Sequence, residues 1–214
     1  MRLPRLLRCA IVLGAGAGGL ALVGAPGLFC APALAAESAD AVTAPLQALS
    51  AGLAKAEKLS DYKARVAIVG PLIDRAFDLP AVLKASVGLR YNSIPADQKQ
   101  ELLTAFHDFT VARYLSNFAA GSDTGLEVHD ATPYAAIPGA QLVHTQITSG
   151  GSGTDVNYVV HQGPTGWQAT DVLLDGTISQ VAVQRSDFTA QFAQGGAPAL
   201  IAGLKKKVAA LSGS

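Results

Sequence analysis

Between residues 126 and 184 the chain alternates apolar and polar side chains with period two, and this run limits what it can fold into. Val143, Thr145 and Ile147 share one parity, and Val156, Tyr158 and Val160 share one further along. Such alternation sets one side of each strand against a core and the other against solvent. Turn signals divide the run at "SGGSGTD" (149–155), at "QGPTG" (162–166) and at Asp175-Gly176. The last is a strong two-residue hairpin signal, because a type I′ turn needs positive φ at both central positions. A mostly antiparallel sheet of four or five strands is expected.

Residues 39–120 and 185–211, on either side, read as helical. A weakly amphipathic stretch covers 40–58, and a second covers 61–77, with Ser60 as its capping residue and Pro71 as a kink. A short apolar helix is expected over 80–88. The clearest helix runs over 95–119, with Leu102, Phe106 and Phe109 at i, i+4, i+7 and Leu103 and Tyr114 beside them. Helices, then strands, then helices is the order of an α+β fold: a helical layer packed on a twisted, mostly antiparallel sheet.

The first 36 residues have a different character. Arg2, Arg5 and Arg8 precede an apolar run over 10–23, Pro26 breaks it, and Ala33-Leu34-Ala35 offers a small-residue cleavage site. This is the pattern of an exported signal peptide, residues 1–36, followed by a single domain over 37–214. An uncleaved anchor is the rival reading, but a span wants ~20 unbroken apolar residues. Cys30 follows Phe29, where a lipobox needs a small residue. Without residues 1–36 the chain carries 13 basic and 16 acidic residues and neither cysteine. A net charge of −3 argues against a nucleic-acid partner, and a thiol-free exported domain suits a periplasm.

Chemistry-bearing motifs are sparse. Asp171 and Asp175 share a strand parity, but four residues of strand separate them by ~13 Å. A cooperating carboxylate pair needs ~5–9.5 Å. Asp175 is explained as the first residue of the turn. Asp171, in an apolar strand, must find donors, and a structural hydrogen bond to loop backbone is the favoured reading. His107, His129, His144 and His161 show no metal-binding spacing, so no metal or cofactor is expected. There is no G-x-S-x-G elbow, P-loop or dinucleotide fingerprint, and no catalytic residue is named. Lys205-Lys206-Lys207 reads as the solvated face of the last helix, with a docking patch for an acidic partner or anionic membrane as the sharper alternative. The apolar residues by themselves describe either a filled core or one enclosing a cavity.

Four stretches carry a resemblance to a known family: "IDRAFDLPAVLKASVGLRYNSI" (73–94), "SIPADQKQELLTAFHDFTVARYL" (93–115), "NYVVHQGPTGWQATDVLLDGTISQVAVQRSDFTAQF" (157–192) and "GGAPALIAGLKKK" (195–207). Together they resemble the MlaC family of periplasmic lipid carriers, also called toluene-tolerance proteins, across nearly the whole mature chain. The Trp-x-x-x-Asp-Val unit at Trp167, the Asp-Gly pair and Phe188 are its most specific part, and Tyr91 stands where Trp or Tyr is typical. The "DGTISQVAVQRSDF" stretch looks especially like the hopanoid-associated HpnM branch. It is one residue longer between Gly176 and Phe188 than the phospholipid-carrier pattern.

The resemblance implies an apolar pocket between helices and sheet that takes acyl chains, with the headgroup near the mouth. It implies a phospholipid or hopanoid ligand, carried between an inner-membrane ABC transporter with its MCE-type component and an outer-membrane lipid complex. Contact with either membrane would be peripheral only. On this reading Val143, Ile147, Tyr158, Val160, Val172 and Leu174 line one wall, and Phe77, Val82, Leu83, Val87, Phe106 and Phe109 line the other. Two alternatives stay open: a small enzyme on an apolar substrate with Asp171 or His144 as general base, and an adaptor with a filled core that docks on a membrane complex.

Overall fold

The computed structural model describes residues 39–213, so the signal peptide expected at 1–36 lies outside the described residues. Five α-helices and a five-stranded sheet follow in the order helices, strands, helix. The strands β1 (Thr124–Pro133), β2 (Gln141–Ser149), β3 (Ser152–Gly163), β4 (Gly166–Leu174) and β5 (Ile178–Ser179) form an antiparallel meander in sequence order. The α+β architecture expected from the alternation is the one found.

The turns form where their chemistry places them. Gly150 and Gly151 form the β2–β3 tip, both at positive φ, and Asp175 and Gly176 (φ 48° and 69°) form the tip after β4. The amide of Thr177 closes that turn on the carbonyl of Leu174 at 3.1 Å. The strand that follows has only two residues, because Ser179 ends it. Its hydroxyl accepts from the Ala182 amide at 3.0 Å and caps the last helix. Residues 180–184, expected in the sheet, are therefore helical. Their alternation is local, whereas a satisfied cap and the helix after it are worth more than two further rungs on an edge strand.

The helices α1 (Ala39–Ala56), α2 (Tyr62–Ala76), α3 (Leu79–Val87), α4 (Ala96–Asn117) and α5 (Gln180–Ser212) include a layer that packs on the sheet. In α1 the buried Val42, Leu46, Leu49 and Leu53 recur at i, i+4, i+7, i+11, the stripe that faces the core. Asp61, not Ser60, caps α2, its carboxylate accepting from the Ala64 amide at 2.7 Å. Asp78 caps α3 in the same way, at 3.0 Å to Ala81, with Pro80 in the first turn. A 3-10 segment, Gly88–Ser93, leads on to α4. Within α5 the helical backbone breaks at Gly195 and Gly196, and Gly196 takes φ 68°, which favours glycine.

Arg65 joins this layer from inside. It is only 7% exposed, and its guanidinium donates to the carbonyls of Ala56 (3.2 Å), Leu115 (3.0 Å) and Phe118. These carbonyls close α1 and α4, where unpaired backbone acceptors and the negative helix end both favour a cation. Replacing Arg65 with Met keeps the stem and removes the donors, leaving buried carbonyls unpaired. Stability should fall by about 3 kcal/mol, read as a lower urea midpoint with an unchanged m value.

Candidate functional site

A bulge in β4 decides which residues face the helices. Tyr158 pairs with Val172 and Val156 with Leu174, but one step on Val160 pairs with Ala169, leaving Thr170 as the extra residue. Val172 and Leu174 thereby share a face with Ala169 and Trp167 despite opposite parity. A parallel bridge from Phe77 to Ala169, and bonds from the Gln168 amide to the carbonyls of Asp74 (3.1 Å) and Phe77 (3.0 Å), hold the end of α2 against β4.

Helices and sheet do not close fully at the other end of β4. A cavity of about 100 Å³ lies there, and the empty space within its lining, counted out through the mouth, is about 770 Å³. Ile147, Val156, Tyr158, Val172 and Leu174 form its sheet wall. Phe77, Leu79, Val82, Phe106, Phe109, Phe118 and Val181 form the apolar part of its helical wall. Eight of the twelve wall residues expected from the sequence thus come together: Phe77, Val82, Phe106, Phe109, Ile147, Tyr158, Val172 and Leu174.

The other four, Leu83, Val87, Val143 and Val160, are core residues outside the cavity lining. Leu83 and Val87 are one helical turn apart, on a stripe rotated ~100° from Val82. Val143 and Val160 sit on the cavity face of the sheet, but Val143 is fully buried one strand over, paired with Tyr158, and Val160 lies past the bulge against the fully buried Ala169.

Polar groups line the cavity that apolar patterning did not single out. Thr110, Arg113 and Asn117 follow Phe106 along α4 at i+4, i+7 and i+11, so helical spacing was the signal available for them. Gln180 and Gln184 face the cavity from the first turns of α5, a stretch whose helical state the alternation concealed. An Arg113 Nη2–H donates to Gln180 Oε1 at 2.9 Å, and the Ser86 hydroxyl donates to Gln184 Oε1 at 3.1 Å. These bonds tie α4 and α3 to α5 beside the cavity. Among the described residues no carboxylate pairs with Arg113.

Tyr114 and Tyr158 meet across the cavity wall, their hydroxyl oxygens 2.8 Å apart. Phe77 packs edge-on against both rings, at 5.8 and 5.9 Å between centroids. Burial pushes the Tyr158 phenol up to about 12. Burial, reinforced by the neighbouring Tyr158, raises Tyr114 well above the ordinary 10. Both phenols are neutral hydrogen-bond donors at physiological pH.

Asp171 lines the same cavity, yet its carboxylate is committed to the backbone. Oδ1 accepts from the amides of Val172 (2.7 Å) and Val181 (3.1 Å), and Oδ2 accepts from the Ser179 hydroxyl (2.5 Å). The carboxylate therefore sits at the positive end of α5 and fixes that helix to β4. His144, the other candidate base, is on the strand face opposite Val143, with Nε2 3.0 Å from Thr132 Oγ1. His107 lies at the surface between Asp74 and Asp108. Among the described residues no cluster of His, Cys, Asp or Glu is arranged to hold a metal. Lys205 pairs with Glu101 at 2.7 Å, and Lys207 lies over the Phe109 ring and near Asp187.

If Asp171 is an anchor, Asp171→Ala should cost about 2 kcal/mol by releasing the start of α5. The check is chemical denaturation together with amide exchange, which should accelerate first at Val181 and Ala182.

Comparison with known proteins agrees with this geometry. The structure matches that of a phospholipid-binding protein from Ralstonia solanacearum, solved in complex with a phospholipid, at a TM-score of 0.68 and 16% identity. The match covers 83% of this chain and 99% of the Ralstonia chain, and at that identity it speaks to the fold. No curated protein matches the chain significantly in sequence. The family model for the MlaC protein matches residues 42–206, the helical layer, the sheet and most of α5. The chain belongs to the MlaC family.

Proposed function

We propose that this protein is a periplasmic lipid carrier that takes up a phospholipid and passes it between the inner and outer membranes. The observation that carries this reading is the apolar cavity between the helical layer and the sheet. It occurs in a member of a lipid-carrier family whose fold is shared by a protein solved with a phospholipid. A carrier answers a definite physical need. Two acyl chains expose about 30 methylenes, and at ~0.8 kcal/mol each their transfer to water costs ~24 kcal/mol. An apolar cavity has only to match the bilayer for exchange to be nearly isoenergetic.

The cavity is too narrow for an acyl chain as it stands, since a dry cavity of ~150 Å³ holds only a benzene-sized guest. Loading on this reading parts α4 and α5, which are joined by the Arg113–Gln180 bond beside the cavity and by Lys205–Glu101 further along. Arg113 also favours a phospholipid over a hopanoid. A half-buried guanidinium with donors to spare and, among the described residues, no carboxylate partner suits a phosphate, which it can hold through two parallel bonds. The reading includes an inner-membrane ABC transporter with an MCE-type component and an outer-membrane lipid complex as the sites of exchange.

An enzyme reading is disfavoured by Asp171, whose acceptor oxygens are taken by three donors, and by His144, which faces away from the cavity. An adaptor with a filled core is disfavoured by the cavity itself.

The test is solvent extraction of the purified protein and mass spectrometry of what is released. A phospholipid is expected, and an empty extract together with no uptake of labelled lipid would overturn the carrier reading. Val172→Trp, which fills the cavity from the sheet side, should preserve the fold and lower lipid occupancy by about tenfold. Arg113→Gln should weaken binding of phosphate-bearing lipids by about fivefold and leave a neutral diacylglycerol unaffected. Equal losses for both lipids would remove the phosphate assignment.

A further inference from the structure

Tyr114 and Tyr158 present a donor that the protein does not use. Two hydroxyls carry two hydrogens, and a single contact between them consumes one. Among the described residues no other acceptor lies within hydrogen-bond reach of either oxygen. Their ring neighbours are apolar: Phe77 edge-on to both, and Phe118 stacked on Tyr114 at 6.4 Å. Phenylalanine at both positions would give the same ring packing with no polar group to satisfy. A part-buried donor without an acceptor in an apolar wall is a standing cost, and because both tyrosines line the cavity the acceptor it calls for arrives there.

The neighbour of this pair in the cavity lining says what that acceptor is. Arg113 and Tyr114 are consecutive and both line the cavity, both half-buried, and the Tyr114 hydroxyl rests on that of the buried Tyr158. A ligand that leaves its phosphate at Arg113 brings its next groups beside the neighbouring phenol pair. In a glycerophospholipid the ester carbonyls lie in that order, between the phosphate and the chains.

Building on the carrier reading, we propose that the Tyr114–Tyr158 pair is a specificity site that donates its free O–H to an ester carbonyl of the bound lipid. The cavity then distinguishes acyl esters from lipids of equal apolar size that lack a carbonyl. Either phenol can deliver the hydrogen, because rotating both hydroxyls reverses the bond between them. The acceptor chemistry has a second source, the hydroxyl of a polyol-bearing polycyclic lipid, and the experiment separates the two.

The protein is stripped of lipid, and three probes compete against a fluorescent phospholipid: dipalmitoyl phosphatidylglycerol, its dihexadecyl ether analogue with the same headgroup, and bacteriohopanetetrol. Wild type should bind the diester about fivefold more tightly than the diether. The double variant Tyr114→Phe/Tyr158→Phe should bind both alike, with the affinity for the diether undiminished. Equal affinities in wild type overturn the proposal and mean that the donor faces water. A preference that persists in the double variant overturns it as well. If bacteriohopanetetrol loses affinity in the double variant while the diester does not, the donor serves a hydroxyl and the ester assignment falls. Binding of none of the three overturns the carrier reading too, so the two failures are distinguishable. The wild-type comparison of ester with ether needs no variant and holds if the double variant does not fold.

Discussion

The carboxylate of Asp171 is the joint on which the cavity depends. It sits beside the β4 bulge, where one extra residue turns Val172 and Leu174 toward the helices, and it holds the amide of Val181 and the hydroxyl of Ser179. Ser179 in turn caps α5. One side chain thus sets the local strand geometry and the starting point of the helix that forms the cavity's flank. An unpaired carboxylate would be intolerable in so apolar a wall; three donors and a helix N-terminus make it favourable.

Arg65 does the converse work within the helical layer, where it meets negative helix ends. It brings a cation to the C-terminal carbonyls of α1 and α4, joining two helix ends more than 50 residues apart in sequence. With the helix ends held, the layer can leave a gap over the sheet without collapsing into it. The phenylalanines there, Phe77, Phe106 and Phe118, are nearly fully buried, so the gap is a cavity within a packed core. Its polar residues place the half-buried Arg113 beside the paired hydroxyls of Tyr114 and Tyr158, with phenylalanines around them, which suits a ligand with a charged end, an ester region and hydrocarbon.

Much of this was legible from local chemistry. Asp175-Gly176 needed only the requirement for positive φ to announce a hairpin, and spacing alone excluded an Asp171–Asp175 dyad. Helical periodicity placed Phe106 and Phe109 on the face that lines the cavity. What was not legible follows from contacts across the chain. Residues 180–184 alternate like a strand, and only the cap at Ser179, supported by Asp171, makes them a helix. Val160 has the parity of Tyr158 and the same apolar character, yet it lies past the bulge against Ala169. Leu83 and Val82 are neighbours in sequence that helical geometry turns in different directions.

The sequence by itself determined the order of helices and strands, the turns and the family, because these rest on periodicity, on φ requirements and on motifs within a few residues of one another. Tertiary structure decided that the apolar face encloses a cavity, and that Asp171 is an anchor where the sequence left a base open. It also decided that Tyr114 and Tyr158, 44 residues apart, meet at their hydroxyls. A cavity is a property of how surfaces fail to fill the space between them, and a hydrogen bond between distant side chains depends on where both backbones end up. Neither quantity is carried by any local pattern of residues.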